Sequence, residues 1–330
     1  MGEFNFLKII WFLLIGVLLI GYSILDGFDL GIGSIFPLIA KNDKEKMKIF
    51  RIIGPFWDGN EVWLLTGGGA LFAAFPHAYA TIFSGFYLAF MFVLFSLIFR
   101  AVSIEFWNND EKRKKFWAWA FTFGSFLPSL LFGVAIGNCI IGIPLNERFD
   151  FIGNFFTLLR PYPIIIGILG FSIILLHGAS YLILKTEKEI YERAYKISKN
   201  LWLIFIFVFI LSLIATIIWV PESLSKIPAW IFSILIFILW IIYGISLNKK
   251  KDSHLFLLSS LIFISLWGIV GSVQFPYLVK AINNPLFSLT IYNASSSPLT
   301  LKVMLLIAII GMPFVIAYTI YVYKIFKGRV

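Results

Sequence analysis

The chain has 330 residues, 60% of them hydrophobic and only 13% charged, where a soluble domain carries about a quarter charged residues. A mean hydropathy of +0.93 means more apolar surface than one aqueous core can bury, so lipid must cover the remainder. The net charge of +10 does not point to nucleic acid, because the basic residues fall in short segments between apolar runs. The single cysteine, Cys139, excludes an internal disulfide and a cysteine-built zinc or iron–sulfur cage.

Apolar runs fall at about 9–40, 52–75, 78–99, 116–143, 161–184, 201–220, 228–247, 255–275 and 301–323. A hydrocarbon core of about 30 Å needs roughly 20 helical residues, and backbone groups in lipid must be satisfied within the segment. The expected fold is therefore an all-α, polytopic membrane helix bundle of about nine transmembrane helices, with 1–330 as one integral membrane domain. The first run outlasts the apolar core of a signal peptide and carries two aspartates in place of a small-residue cleavage site, so no cleavable leader is expected. Segments 41–51, 100–115, 185–199, 248–254 and 324–330 should share one side, and they hold 21 of the 27 lysines and arginines. By the positive-inside rule the amino terminus is outside and the carboxyl terminus cytoplasmic, in a prokaryotic inner membrane. Trp107, Trp219 and Tyr323 near span ends fit an interfacial aromatic belt. The longest outer stretch, 276–300, is rich in Asn, Ser and Pro and reads as an ordered or semi-ordered loop.

Intramembrane charges are costly and face protein or water, so the few present are informative. The first run contains LDGFDLGIG (25–33) with Asp26 and Asp29, and the second GPFWDGNEVWLLTGGGALFAAFP (54–76) with Asp58 and Glu61. Each pair is spaced i, i+3 and projects from one helix face. Asp58 comes seven residues after Arg51, about 10 Å along the axis. Asp26 and Asp29 come late in a run that starts outside, so the acids converge in the cytoplasmic half. Arg100 ends the third run at the same boundary. Buried carboxyl groups can hold or pass protons near neutral pH, which makes Asp26, Asp29, Asp58 and Glu61 candidates for a proton route. The plainer alternative is a buried ion pair such as Asp58 with Arg100, or carboxylates hydrogen-bonded to Trp57 or Asn60.

Gly27 and Gly31, Gly133 and Gly137, and the triplet Gly67, Gly68 and Gly69 read as close-packing positions, since no Walker Lys-Ser/Thr follows them. His77, His177 and His254 lie at different depths and make no bis-histidine haem pair. His177 reads as a hydrogen-bonded core residue, with ligation or proton relay the alternative, and no metal site is expected.

At these two motifs the chain closely resembles subunit II of cytochrome bd-type quinol oxidases. The likeness extends to the third-run end around Arg100 and to the number of spans; beyond about residue 145 it is one of hydropathy and length. It implies a heterodimeric respiratory complex that oxidises quinol and reduces dioxygen to water. Haem b558, haem b595 and haem d, their iron ligands and the quinol-binding loop would belong to subunit I. This chain would pack beside subunit I in the bilayer, stabilise the haems and be catalytically silent alone. A small accessory membrane subunit is a further candidate partner. The resemblance also implies a cytoplasmic proton route through Asp26, Asp29, Asp58 and Glu61, and oxygen access near Trp63. A proton-coupled secondary transporter is the competing reading, and a scaffold without proton traffic a third.

Overall fold

The computed structural model describes residues 2–329. Eleven α-helices account for most of them: α1 (Gly2–Ile39), α2 (Asp43–Ile53), α3 (Trp57–Ala74), α4 (Pro76–Gly85), α5 (Tyr87–Phe106), α6 (Lys114–Ile141), α7 (Pro161–Lys185), α8 (Lys188–Trp219), α9 (Ile227–Asn248), α10 (Asp252–Gln274) and α11 (Pro298–Ile325). Serines inside the apolar helices return their hydroxyls to their own backbone, as Ser103 does to Phe99 O (2.5 Å) and Ser180 to Leu176 O (2.7 Å).

Eight of these helices are long and apolar enough to cross a membrane, among the described residues. The eight leave out α3, read as a span by its sequence. Its 18 residues run beside α1, but Asp58, Asn60 and Glu61 in its first turns lower its apolar character. Two boundaries also move. The third run is broken at Phe86 into α4 and α5, and the first helix extends to 38 residues. Segment 41–51 mostly forms α2, an amphipathic helix whose first turn is capped by Asn42 accepting from Glu45 N (3.0 Å). Ile49, Phe50, Ile52 and Ile53 of α2 are buried, while Lys44, Lys48 and Arg51 are exposed.

Alternate connections gather at opposite ends of the bundle. At the basic end, Phe50 packs on Trp107 (ring centroids 5.3 Å), Glu45 pairs with Arg193 (2.5 Å), Lys185 donates to Phe326 O (2.5 Å) and Arg329 pairs with Asp252 (2.7 Å). At the other end, Asn283 donates to Leu145 O (2.7 Å), Lys226 to Phe275 O (3.1 Å) and Ser296 N to Ala74 O (2.8 Å). The 276–300 stretch is ordered around the antiparallel strands β1 (Tyr277–Val279) and β2 (Leu289–Thr290). Gly142 ends α6 with φ +94°, and a Cβ there would sit 2.8 Å from Lys280 O, so only glycine suits the junction. Of the aromatic residues expected at the membrane interface, Trp219 is exposed, whereas Trp107 is completely buried and Tyr323 is turned into the bundle. Trp107, just past the end of α5, is covered by Phe50 of α2.

Burial alone would push the Glu45 carboxyl up, but hydrogen bonds from Arg193 and the backbone of Lys41 outweigh it and hold the group below the usual carboxylate range. A depressed folded value contributes stability above the unfolded pKa and loses it as pH falls through the folded one. Glu45→Gln should therefore melt earlier than the native protein at pH 7, with the difference closing as the medium is acidified below about pH 4. Equal melting curves at pH 7 would remove this link between α2 and α8.

The centre of the fold is the crossing of α1 and α7. A Cβ on Gly31 would collide with the Ile174 carbonyl and lie 3.0 Å from Gly178 Cα. Both partners are backbone and cannot give way, so Gly31→Ala forces the helices apart. Overpacking of this kind costs about 1–3 kcal/mol. The expected result is a lower yield of folded protein and an earlier thermal transition in detergent, while Gly271→Ala on α10, which meets nothing within 4 Å, leaves both unchanged.

Candidate functional site

Asp26 and Asp29 lie one turn apart on α1 and are fully buried. The turn is held against α7 and α10 by His177, whose Nε2 faces Ile24 O (2.9 Å) and whose Nδ1 meets Ser259 Oγ (2.7 Å). Nε2 must donate to a carbonyl, and Nδ1 lies against the serine hydroxyl, which also reaches Phe256 O (2.9 Å). Both ring nitrogens are thereby occupied, and Phe256 stacks on the ring at 4.6 Å. His177 is a core residue that fixes the backbone just before the acids.

Arg100, one and a half turns from the end of α5, is also completely buried. Its Nη2 donates to Asp26 Oδ1 (2.7 Å) and to Glu61 Oε1 (2.5 Å), tying three helices at one point. Glu61 retains 25% side-chain exposure, while the Asp26 and Arg100 side chains have none. Asn60, beside Glu61 on α3, donates through Nδ2 to Asp29 Oδ2 (2.8 Å) and Leu25 O (2.9 Å). Its Oδ1 accepts from the hydroxyl of Tyr323 near the end of α11 (3.2 Å).

Asp58 does not join this group. It is exposed and accepts from the amide of Gly59 (2.7 Å), so the Arg100 partners are Asp26 and Glu61 in place of Asp58. Trp57 is half-buried against the central apolar cluster. Neither Trp57 nor Trp63 claims the Asn60 acceptor, which Tyr323 occupies. The Trp63 ring lies against Gly21, filling the groove between α1 and α3. Gly27 faces His177 and Phe263, Gly31 faces Gly178, and Gly67 rests on Leu18 and Leu19, whereas Gly68 and Gly69 face nothing in this chain. Tyr22 and Tyr323 are the members that sequence reading missed. Tyr22 precedes Asp26 by four residues on the same face, a spacing that could have flagged it. No local signal marks Tyr323, which lies 263 residues from its partner.

The cluster holds unusual spare hydrogen-bonding capacity. Buried atoms without a protein partner include Arg100 Nε and Nη1, Asp26 Oδ2, Asp29 Oδ1 and the hydroxyls of Tyr22 and Tyr181. Buried polar groups are otherwise nearly always paired. Six of the ten such unpaired atoms among the described residues lie in this cluster.

A family model described as cytochrome bd terminal oxidase subunit II matches residues 7–326. The chain belongs to that family. It is similar to the cytochrome bd-I ubiquinol oxidase subunit 2 of Escherichia coli (strain K12), 34% identical over 366 residues that cover 100% of this chain and 97% of the relative. It is also similar to the cytochrome bd ubiquinol oxidase subunit 2 of Bacillus subtilis (strain 168), 33% identical over 328 residues, 97% and 96% of the two chains. The bd oxidase structure from Geobacillus thermodenitrificans shares the fold, with a TM-score of 0.82 over 97% of this chain and 98% of that one at 17% identity. As a subunit II, the chain is a multi-pass protein of the prokaryotic inner membrane and part of an oxidoreductase complex. These likenesses do not favour the secondary-transporter reading.

Proposed function

We propose that this chain is the partner of a haem-bearing subunit I in a complex that oxidises quinol and reduces dioxygen to water. Its own part is to stabilise that subunit and to take up protons through the acid–arginine cluster. The observation that carries the reading is the burial of Asp26, Asp29 and Arg100 beside a half-buried Glu61 on three helices, with unpaired donors and acceptors around them. A fixed structural ion pair would need one acid for one base. Here Arg100 meets both Asp26 and Glu61, Asp29 is held by Asn60, and Glu61 is partly exposed. The cluster lies toward the basic end of the bundle, the side assigned to the cytoplasm by its lysines and arginines.

Haem b558, haem b595 and haem d would supply electron transfer and oxygen chemistry from subunit I. The residues of this chain do not fit an iron ligand set. His177 has both nitrogens engaged, and His77 and His254 are exposed in separate parts of the chain. Subunit I is placed against α3 and α11. Leu301 is the one fully buried residue of α11 among those described, and the outer face of α3 presents Asp58, Gly59, Thr66 and Gly69, which suit a protein neighbour better than lipid. Trp63, packed into its groove, serves helix packing in this reading more directly than oxygen access.

The test is spectroscopic. The purified complex should show haem d absorption, and this chain purified alone should show little haem of any kind. Haem d absorption of full intensity in a complex lacking this chain would contradict the stabilising role.

A further inference from the structure

We infer that Tyr323, at the end of α11, is a positioning residue for Asp29, acting through Asn60; this rests on the proton-uptake reading above. Among the described residues, Asn60 is the one side chain that hydrogen-bonds to the Asp29 carboxylate, and its amide can face either way. The Leu25 carbonyl, which only accepts, fixes its orientation. Nδ2 serves both Asp29 Oδ2 (2.8 Å) and Leu25 O (2.9 Å), and Oδ1 accepts from the Tyr323 hydroxyl (3.2 Å). When Asp29 carries a proton, a reversed amide could accept it and hold it in place. Reversal would turn Asn60 Oδ1 toward the Leu25 carbonyl, acceptor against acceptor, so Leu25 opposes it, while the Tyr323 hydroxyl donating to Oδ1 polarises the amide and strengthens the Nδ2 bond that holds Asp29 Oδ2 in place.

The surroundings of Tyr323 show that its place is built. Its ring stacks on Phe56 at 4.4 Å and meets Phe28 edge-on at 6.4 Å. Phe326 closes on Phe56 at 5.8 Å, its carbonyl accepts from Lys185 Nζ (2.5 Å), and Arg329 pairs with Asp252 (2.7 Å). Most of α11 faces outward, yet these contacts bind its last turn across α3, α7 and α10. The Tyr181 hydroxyl, buried without a partner, lies on a ring that stacks against Phe28 at 3.9 Å. The groups around Asp29 are therefore Asp26 and Tyr22 on its own helix, Glu61 and Asn60 on α3, Arg100 on α5, Tyr181 on α7 and Tyr323 on α11.

The experiment measures quinol oxidase turnover in the assembled complex for Tyr323→Phe, Asn60→Ala, the double variant and Asp29→Asn, with haem content recorded for each. Tyr323→Phe should lower kcat by about threefold to tenfold, the worth of one neutral hydrogen bond, with unchanged KM for quinol and unchanged haem. Added to Asn60→Ala, it should cause no further loss, because the residue through which it acts is gone. An unchanged kcat in Tyr323→Phe, the same fractional loss in both backgrounds, or loss of haem in Tyr323→Phe would each overturn the inference. Full turnover in Asp29→Asn would take down the uptake reading and this inference together. A slow Asp29→Asn beside a full-speed Tyr323→Phe overturns the positioning role alone.

Discussion

Arg100→Met is expected to abolish assembly of the complex, seen as loss of the protein from detergent extracts and of haem d absorption from membranes. The guanidinium is fully buried and is the cation that meets both Asp26 and Glu61. Methionine keeps the apolar stem of the arginine and removes the guanidinium that meets the two carboxylates. Removing one partner from a buried pair costs about 3–5 kcal/mol, because the other charge stays behind without compensation. Here two carboxylates are left. Folded proteins hold a margin of only about 5–15 kcal/mol, so a loss of this size is decisive. Arg100→Lys should rescue only part of it, since a single ammonium on a shorter stem must reach carboxylates on two different helices. Normal haem content in Arg100→Met would show that the cluster does not hold the three helices together.

Asp29→Asn should behave in the opposite way, keeping the complex and stopping its work. The two side chains have the same shape, and Asn60 Nδ2 can still donate to the oxygen of the new amide. What disappears is a group that can bind and release a proton. Positioned proton-transfer groups contribute on the order of a hundredfold or more to rate, so turnover should fall by about that factor with haem spectra intact. Loss of haem would instead assign Asp29 a scaffolding role. Native turnover with native haem would exclude it from both.

The two motifs made most of the site legible, and the limits of that reading are geometric. Asp26 and Asp29 share a face because their spacing is close to a full turn, and both are buried as that predicts. The same rule fails for Asp58. Residues advance by about 100° on a helix; α3 presents Asn60, Trp63 and Gly67 to α1, and Asp58, two residues before Asn60 and so about 160° from it, faces away and is exposed. A pair spacing fixes which residues neighbour each other, and tertiary packing decides where the face points. The Arg100 partners and the reach of Tyr323 depend on how separate helices meet, which no local pattern encodes. The fold shows the same division. Apolar length revealed the long helices, but the break at Phe86 and the helical form of 43–53 depend on how chain ends settle against the bundle. Trp107 has the composition of an interfacial anchor and is buried because α2 folds over it.

Proton uptake from the side of the basic connections can be followed directly with a pH indicator trapped in proteoliposomes on that side. A quinol pulse under oxygen should make that compartment more alkaline in step with oxygen consumption. In Asp29→Asn the alkalinisation should slow by about a hundredfold while the haem spectra stay unchanged. Alkalinisation of the opposite compartment, or a native rate in Asp29→Asn, would contradict the role assigned to the cluster.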